Sequence, residues 1–463
     1  MGRSHSLIRL VLAAGFLAAV EPGRPAELTA QSGDPAAWVG DVEMLLHAMD
    51  SIHPDPYRVH PREEWVEAAR AFERRLPSLR YHEAVSGFAA LVAMAADGHT
   101  RLGNVTLEDH SRVQLGLLPG EGFDTMFPVT FEVFADGLHV VRTTASYAEL
   151  FGRRIVAING RPIGEVIELL RPVVSADNDM WLIYLVTRFL RNPAVLHPAG
   201  VLQEIDASLE LTLDDGAAIS VRSVPVRSEI AWIDADEYLG ATGPAPLYLR
   251  LTDNYQLVHL EASAAAYVRY RQVRDRDDEP LAQFAERLFA FVDSANVDKL
   301  IIDVRRNGGG NNYLNQPLVH GLIRTRVNRP GGLFVIIDRG TFSAAMSFVA
   351  EVERNTHGLF VGEPTGAPAN HYGDSRVVTL PASGLEVRIS TLYWQHADPR
   401  DPRPWIIPDL PAVTSSADYL ARRDPALDTI LAYEHPSYAR AVTPNRNWRR
   451  ASQLRGWTHT INW

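Results

Sequence analysis

The sequence predicts an α/β layered domain, and three stretches between Asp298 and Asp374 carry that prediction. Lys299-Leu-Ile-Ile-Asp-Val-Arg305 is an apolar run ending in the loop Arg306-Asn-Gly-Gly-Gly-Asn-Asn312. Gly332-Leu-Phe-Val-Ile-Ile337 is a second, ending in Asp338-Arg-Gly-Thr-Phe-Ser-Ala-Ala345. A helical stretch from Met346 to Arg354 leads to a third, Gly358-Leu-Phe-Val361, and the turn Gly362-Glu-Pro-Thr-Gly366. Continuous apolar runs bounded by glycine and polar turns read as strands covered on both faces. In such sheets ligands sit where loops leave the carboxyl ends of the strands. Ser343 and the triple glycine both fall there.

The chain's 463 residues exceed one compact core and imply several domains. Arg3, Arg9 and the apolar run Leu10 to Val20, followed by small residues, have the layout of a secretory signal over residues 1–30. Cleavage is expected near Ala30, with Ala26 the alternative, giving a periplasmic or extracellular protein. No later segment is long and apolar enough to cross a bilayer, so no stable membrane insertion is expected once the signal is removed. There is no cysteine, which excludes disulfides, thiol catalysis and a lipoprotein anchor. A net charge of −11 argues against a nucleic-acid partner.

Residues 36–105 read as a helical cap. Val39, Val42, Leu45, Leu46 and Met49 give Trp38 to Ile52 a helical period, broken at His53-Pro-Asp-Pro56. Pro61 followed by acids opens a second helix, and Tyr81 to Ala96 forms a third that stops at Asp97-Gly98. Residues 117–175 are β-rich, with runs Phe127 to Phe134, Leu138 to Val141 and Arg154 to Pro162, then a helix from Ile163 to Leu170.

The core is expected over 176–435. It opens with a helix from Asp177 to Pro198 and a hairpin from Ser208 to Val226 about Asp214-Asp-Gly216. Leu247 to Leu251 and Tyr255 to Leu260 read as a strand pair, Arg269 to Asp278 as a solvated loop, and Glu279 to Asn296 as an amphipathic helix. Beyond Asp374, Val377 to Pro381 and Leu385 to Ser390 flank a turn, followed by Tyr393-Trp394 and Trp405 to Asp409. The tail over 436–463 is polar, arginine-rich and aromatic.

A serine at a strand-to-helix turn presents its hydroxyl beside the free amides of the helix's first turn. The N–H of Ala344, with one from Gly309 or Gly310, could hold a developing oxyanion, and glycine lets substrate approach the backbone. The plainer reading, a helix N-cap and a glycine turn, stays open on these residues alone.

Taken together, Leu300-Ile-Ile-Asp-Val-Arg-Arg-Asn-Gly-Gly-Gly310, Thr341-Phe-Ser-Ala-Ala345 and Val361-Gly-Glu-Pro-Thr-Gly366 resemble the core of the S41 serine peptidases. These are the C-terminal processing and tricorn-type proteases, whose core is related to the crotonase fold. The resemblance implies a crotonase-like (ββα) layered core, Ser343 as nucleophile and the Gly308 to Gly310 loop in the oxyanion hole. It also implies that the β-rich module, above all Gly152 to Leu169, is PDZ-like and binds peptide by adding a strand.

A serine needs a base. The processing branch uses a lysine beyond the Gly-Glu-x-Thr turn, but here that place holds Ala367-Pro368. Lys299 is the only lysine and stands at the opposite end of its strand, so the remaining candidates for the base are histidines, whose pKa suits the task. Asp97-Gly98-His99-Thr100 is similar to the motif that supplies it in the tricorn-like branch, with Gly98 replacing a polar residue. His371 is the competitor and His396 a distant third.

The tricorn-like pattern places an orienting glutamate before the final Pro-Asp. Here Asp398 and Asp401 occupy that loop, and Asp401 is taken as the acid. His371, Tyr393 and Trp394 are expected to bind substrate. No metal or cofactor is expected. The reading is an exported serine peptidase acting on peptides or proteins through an acyl-enzyme. An esterase or amidase variant, or a non-catalytic ligand carrier on the same scaffold, is the alternative.

Overall fold

The computed structural model describes residues 34–103, 105–106, 112–113, 123–226, 228–239 and 244–435. The expected signal segment (1–30) and the tail (436–463) lie outside them. The central sheet has six strands in the order Tyr255–Leu260, Ala265–Tyr270, Lys299–Asp303, Leu333–Ile337, Leu359–Gly362, Leu410–Pro411. The first two form an antiparallel pair and every later neighbour is parallel. The period of two sends alternate residues to opposite faces. Leu300, Ile302, Val335 and Ile337 join the main core, while Ile301, Phe334, Ile336 and Val361 join a smaller cluster with Ala426 and Ile430. Two buried faces are why these strands are unbroken apolar runs.

The helix Pro425–Ala432 closes the second face. Lys299 Nζ holds its end, donating to the carbonyls of Ile430, Leu431 and Tyr433 at 2.8, 3.0 and 2.9 Å. The last carbonyls of a helix lack intrahelical partners, and a cation there is favourable. The single lysine is thus a helix cap.

The cap helices Val39–Ile52, Arg62–Arg75 and Tyr81–Ala93 pack around Trp38, Trp65, Phe72 and Phe88. After them Ala96 turns with φ 50° and the chain leaves as the short strand Arg101–Leu102. That strand pairs with Glu386–Ile389, Arg101 opposite Arg388 and Leu102 opposite Val387. Asp41 adds a second tie, accepting the N–H groups of Ala382 and Ser383 at 2.9 and 2.7 Å. Stitching the cap to the late hairpin carries His99 to the carboxyl ends of the central strands.

Three expectations need correction. Leu247–Arg250 is a helical turn after Pro246, and the partner of Tyr255–Leu260 is Ala265–Tyr270. Arg269 and Tyr270 are therefore buried strand residues, and only Arg271 begins the exposed segment. The β-rich sheet also passes residue 175: Leu209–Leu213 and Ala218–Val221 extend it on Arg154–Ile158. Among the described residues no helix is long and apolar enough to cross a membrane.

Candidate active site

Ser343 sits between the Leu333–Ile337 strand and the helix Ala344–Asn355, with φ 55° and ψ −130°. That region is strained for any residue but glycine, and such strain clusters at functional sites. Its hydroxyl makes no cap bond to the helix, against the plainer N-cap reading. It lies instead 2.8 Å from His99 Nε2.

His99 is buried and held as a plate in a stack. Phe342 lies on one side, with centroids 4.5 Å apart and planes 20° apart, and His371 follows at 5.9 Å and 13°. Trp181 backs Phe342 at 4.0 Å and 5°. With the Ser343 hydroxyl donating to Nε2, the ring proton belongs on Nδ1. There the Asp97 carboxylate stands at 3.8 Å, within ion-pair range, although Nδ1 makes no hydrogen bond. Burial pushes the imidazole down to about 4 against the opposing pull of Asp97, so His99 is neutral near pH 7.

Asp97 is fully buried. Its Oδ1 accepts the His99 N–H at 2.9 Å, and its Oδ2 accepts the Thr100 and Ser390 hydroxyls, each at 2.6 Å, with His53 Nε2 at 3.3 Å. Burial alone would raise its pKa. The bond from His53, the charge of His99 and the two hydroxyls outweigh burial and hold the carboxyl well below the usual range. Ser390 donates from the late hairpin, so the acid is fixed by the same hairpin that stitches the cap down.

The glycine loop presses on the serine. A Cβ on Gly309, at φ 98°, would come within 2.6 Å of Ser343 Cβ and 2.7 Å of the Ala344 nitrogen. Asn307 sets the loop: its Oδ1 accepts the Gly309 N–H at 2.9 Å, its Nδ2 reaches the Tyr270 carbonyl and its own carbonyl takes the Phe342 N–H. The Gly309 amide is therefore engaged, which removes it as an oxyanion donor. Val273 brackets Gly310 by a parallel bridge whose bonds run through Gly309 O and Asn311 N. Among the described residues the N–H groups of Gly310 and Ala344 meet no acceptor.

Asp401 is not at this site. Arg403 forks onto it at 2.7 Å and onto Glu353 at 2.8 Å, a half-buried network tied to the far end of the helix Ala344–Asn355. The carboxylate that faces the His99 ring is instead Asp97, two residues before it. His371 lies behind His99 and pairs in strand with Trp394. A cavity of about 760 Å³ adjoins Ser343, Gly98, His99 and Phe342; His371, Tyr393 and Trp394 do not line it, whereas Trp181 and Tyr184 do.

His82, Glu83 and His197 are the described residues whose grouping could hold a metal. Arg80 already puts a cation there, with Nη2 at 2.9 Å from His197 Nε2 and 3.6 Å from Glu83. Asp97 stands in the same turn as His99, but the sequence gives no sign that its carboxylate faces the ring. Phe342, Trp181 and Asn307 carried no sequence signal of their role.

No family model matches the chain, and no curated protein matches it in sequence. Solved structures do. Mature CPAF complexed with lactacystin superposes with a TM-score of 0.56 at 13% identity, covering 86% of this chain and 97% of that one. A CPAF point mutant gives 0.57 at 13%, over 87% and 99%. The photosystem II D1 C-terminal processing protease gives 0.40 at 15%, over 85% and 96%. The fold is that of the S41-type peptidases.

Proposed function

We propose that the chain is a serine hydrolase cleaving peptide bonds through an acyl-enzyme, with Ser343 as nucleophile and His99 as general base. The observation that carries this is the 2.8 Å contact between His99 Nε2 and the hydroxyl of a backbone-strained serine. Neutral His99 takes the hydroxyl proton as Ser343 Oγ bonds to the scissile carbonyl carbon. The imidazolium then returns that proton to the leaving amine, and water repeats the sequence on the acyl-serine. General-base assistance of this kind supplies about 10²- to 10⁴-fold.

The Ala344 N–H, with that of Gly310, receives the charge on the carbonyl oxygen, each such donor contributing about 3–4 kcal/mol. Asp97 stabilises the imidazolium by charge rather than by a hydrogen bond. The β-rich module is assigned to peptide binding, and the Leu10 to Val20 run to export.

The test is a peptide-library digest with the wild type, Ser343→Ala and His99→Ala. Cleavage by the wild type with loss in both variants supports the assignment. Full activity in His99→Ala overturns it.

A further inference from the structure

The cavity beside Ser343 has a charge opposite to that of the protein. Eight arginines and one carboxylate, Glu132, are among the residues that line it, on a chain of net charge −11. Arg188, from the Asp179–Phe189 helix, packs its guanidinium over Tyr184 at 4.3 Å. Arg271 donates to the Thr252 carbonyl at 3.1 Å and, like Arg274, is exposed. Among the described residues these three have no carboxylate within ion-pair distance.

Two deeper arginines are incompletely used. Arg339 gives Nε and Nη2 to Glu363 at 2.8 and 2.9 Å, while its buried Nη1 meets no acceptor. Arg269 is paired with Asp303, yet its buried Nε is likewise unmatched. Both side chains are more than nine-tenths buried and line the cavity. A desolvated donor without an acceptor is costly unless a ligand completes it.

We propose that this cleft selects acidic polypeptide, seating aspartate or glutamate side chains next to the bond that Ser343 attacks; this rests on the peptidase reading above. Like-signed charges on the walls of a cleft focus the field and raise the local concentration of an opposite charge. The guanidinium fork fits a carboxylate through two parallel hydrogen bonds. A carboxylate-bearing peptide supplies the counter-charge that Arg188, Arg271 and Arg274 lack. A nucleic acid is disfavoured because the basic lining is confined to a cavity of about 760 Å³ on an otherwise acidic chain.

The test separates binding from cleavage. Full-length Ser343→Ala is titrated with a fluorescent peptide rich in glutamate and with its glutamine counterpart. The glutamate peptide is expected to bind at least about tenfold tighter, with affinity falling as salt rises. Arg271→Glu with Arg274→Glu should remove the preference, and the paired lysine variant should retain most of it. Equal affinity for the two peptides overturns the proposal, as does tighter binding of a single-stranded oligonucleotide. If Ser343→Ala shows the preference while wild type cleaves neither peptide, the hydrolase reading fails and the charge selectivity stands. If wild type cleaves both with equal kcat/KM, the selectivity fails and the hydrolase stands.

Discussion

Replacing Asp97 by asparagine keeps the shape of the turn and removes one negative charge 3.8 Å from the imidazole it faces. Both groups are buried, so an effective dielectric of about 20 applies and the lost attraction is about 4 kcal/mol. That corresponds to about three decades in rate if the full charge forms on His99 in the transition state. The asparagine dipole recovers part of it, so kcat is expected to fall by about 10²- to 10³-fold. The substitution also pulls the His99 pKa further down, because the charge that favoured the imidazolium is gone. The assay is kcat on an internally quenched peptide at pH 7, with a thermal melt to separate lost fold from lost chemistry. Asp401→Asn is the paired control; it breaks the Arg403 network and should lower the melting temperature while leaving kcat within about threefold. An Asp97→Asn enzyme that melts normally and keeps kcat within threefold refutes the electrostatic role.

The remaining predictions concern pH, space and the single lysine. His99 must be neutral to accept a proton and burial holds it at about 4, so kcat/KM should stay level from neutrality to near pH 5 and fall only through about 4. A limb near 6.5 contradicts this. His82, His99 and His371 all have depressed pKa values, so the unfolded chain binds protons below about 6.5 that the folded chain refuses, and a melt should drop as pH falls from 7 to 5. Gly309→Ala forces a Cβ to within 2.6 Å of Ser343 Cβ at a positive φ, and should cost about 10²-fold or more in kcat. Lys299→Met should cost on the order of 1–3 kcal/mol of stability in chemical denaturation with kcat unchanged, because its three bonds are to the carboxyl end of a distant helix.

The central strands were legible because both faces are buried, so Lys299–Asp303 and Leu333–Ile337 carry no polar alternation. The Ser343 turn was legible for the related reason that a strand, a loop and a helix follow in order. Leu247–Arg250 is ambiguous in sequence because four apolar or long residues suit a strand or a turn equally, and Pro246 just before it is the one local sign of a helix start. Arg269 was misread because a run of charges reads as solvated, whereas here Asp303 draws its guanidinium inside. The histidine could be found only through a resemblance, since 244 residues separate it from its serine. Asp97 was hidden by proximity: an acid two residues from a histidine faces its ring only when a tight turn folds it back. The ring stack draws on Trp181, Phe342, His99 and His371, four distant positions, and no local pattern announces it.

Intact-mass analysis after exposure to a fluorophosphonate goes straight to the reactivity of Ser343. The wild type should gain one phosphonyl adduct, mapped by digestion to Ser343; Ser343→Ala should gain none and His99→Ala should label at least about a hundredfold more slowly. A wild type that stays unmodified, or one that labels as fast without His99 as with it, would contradict the account.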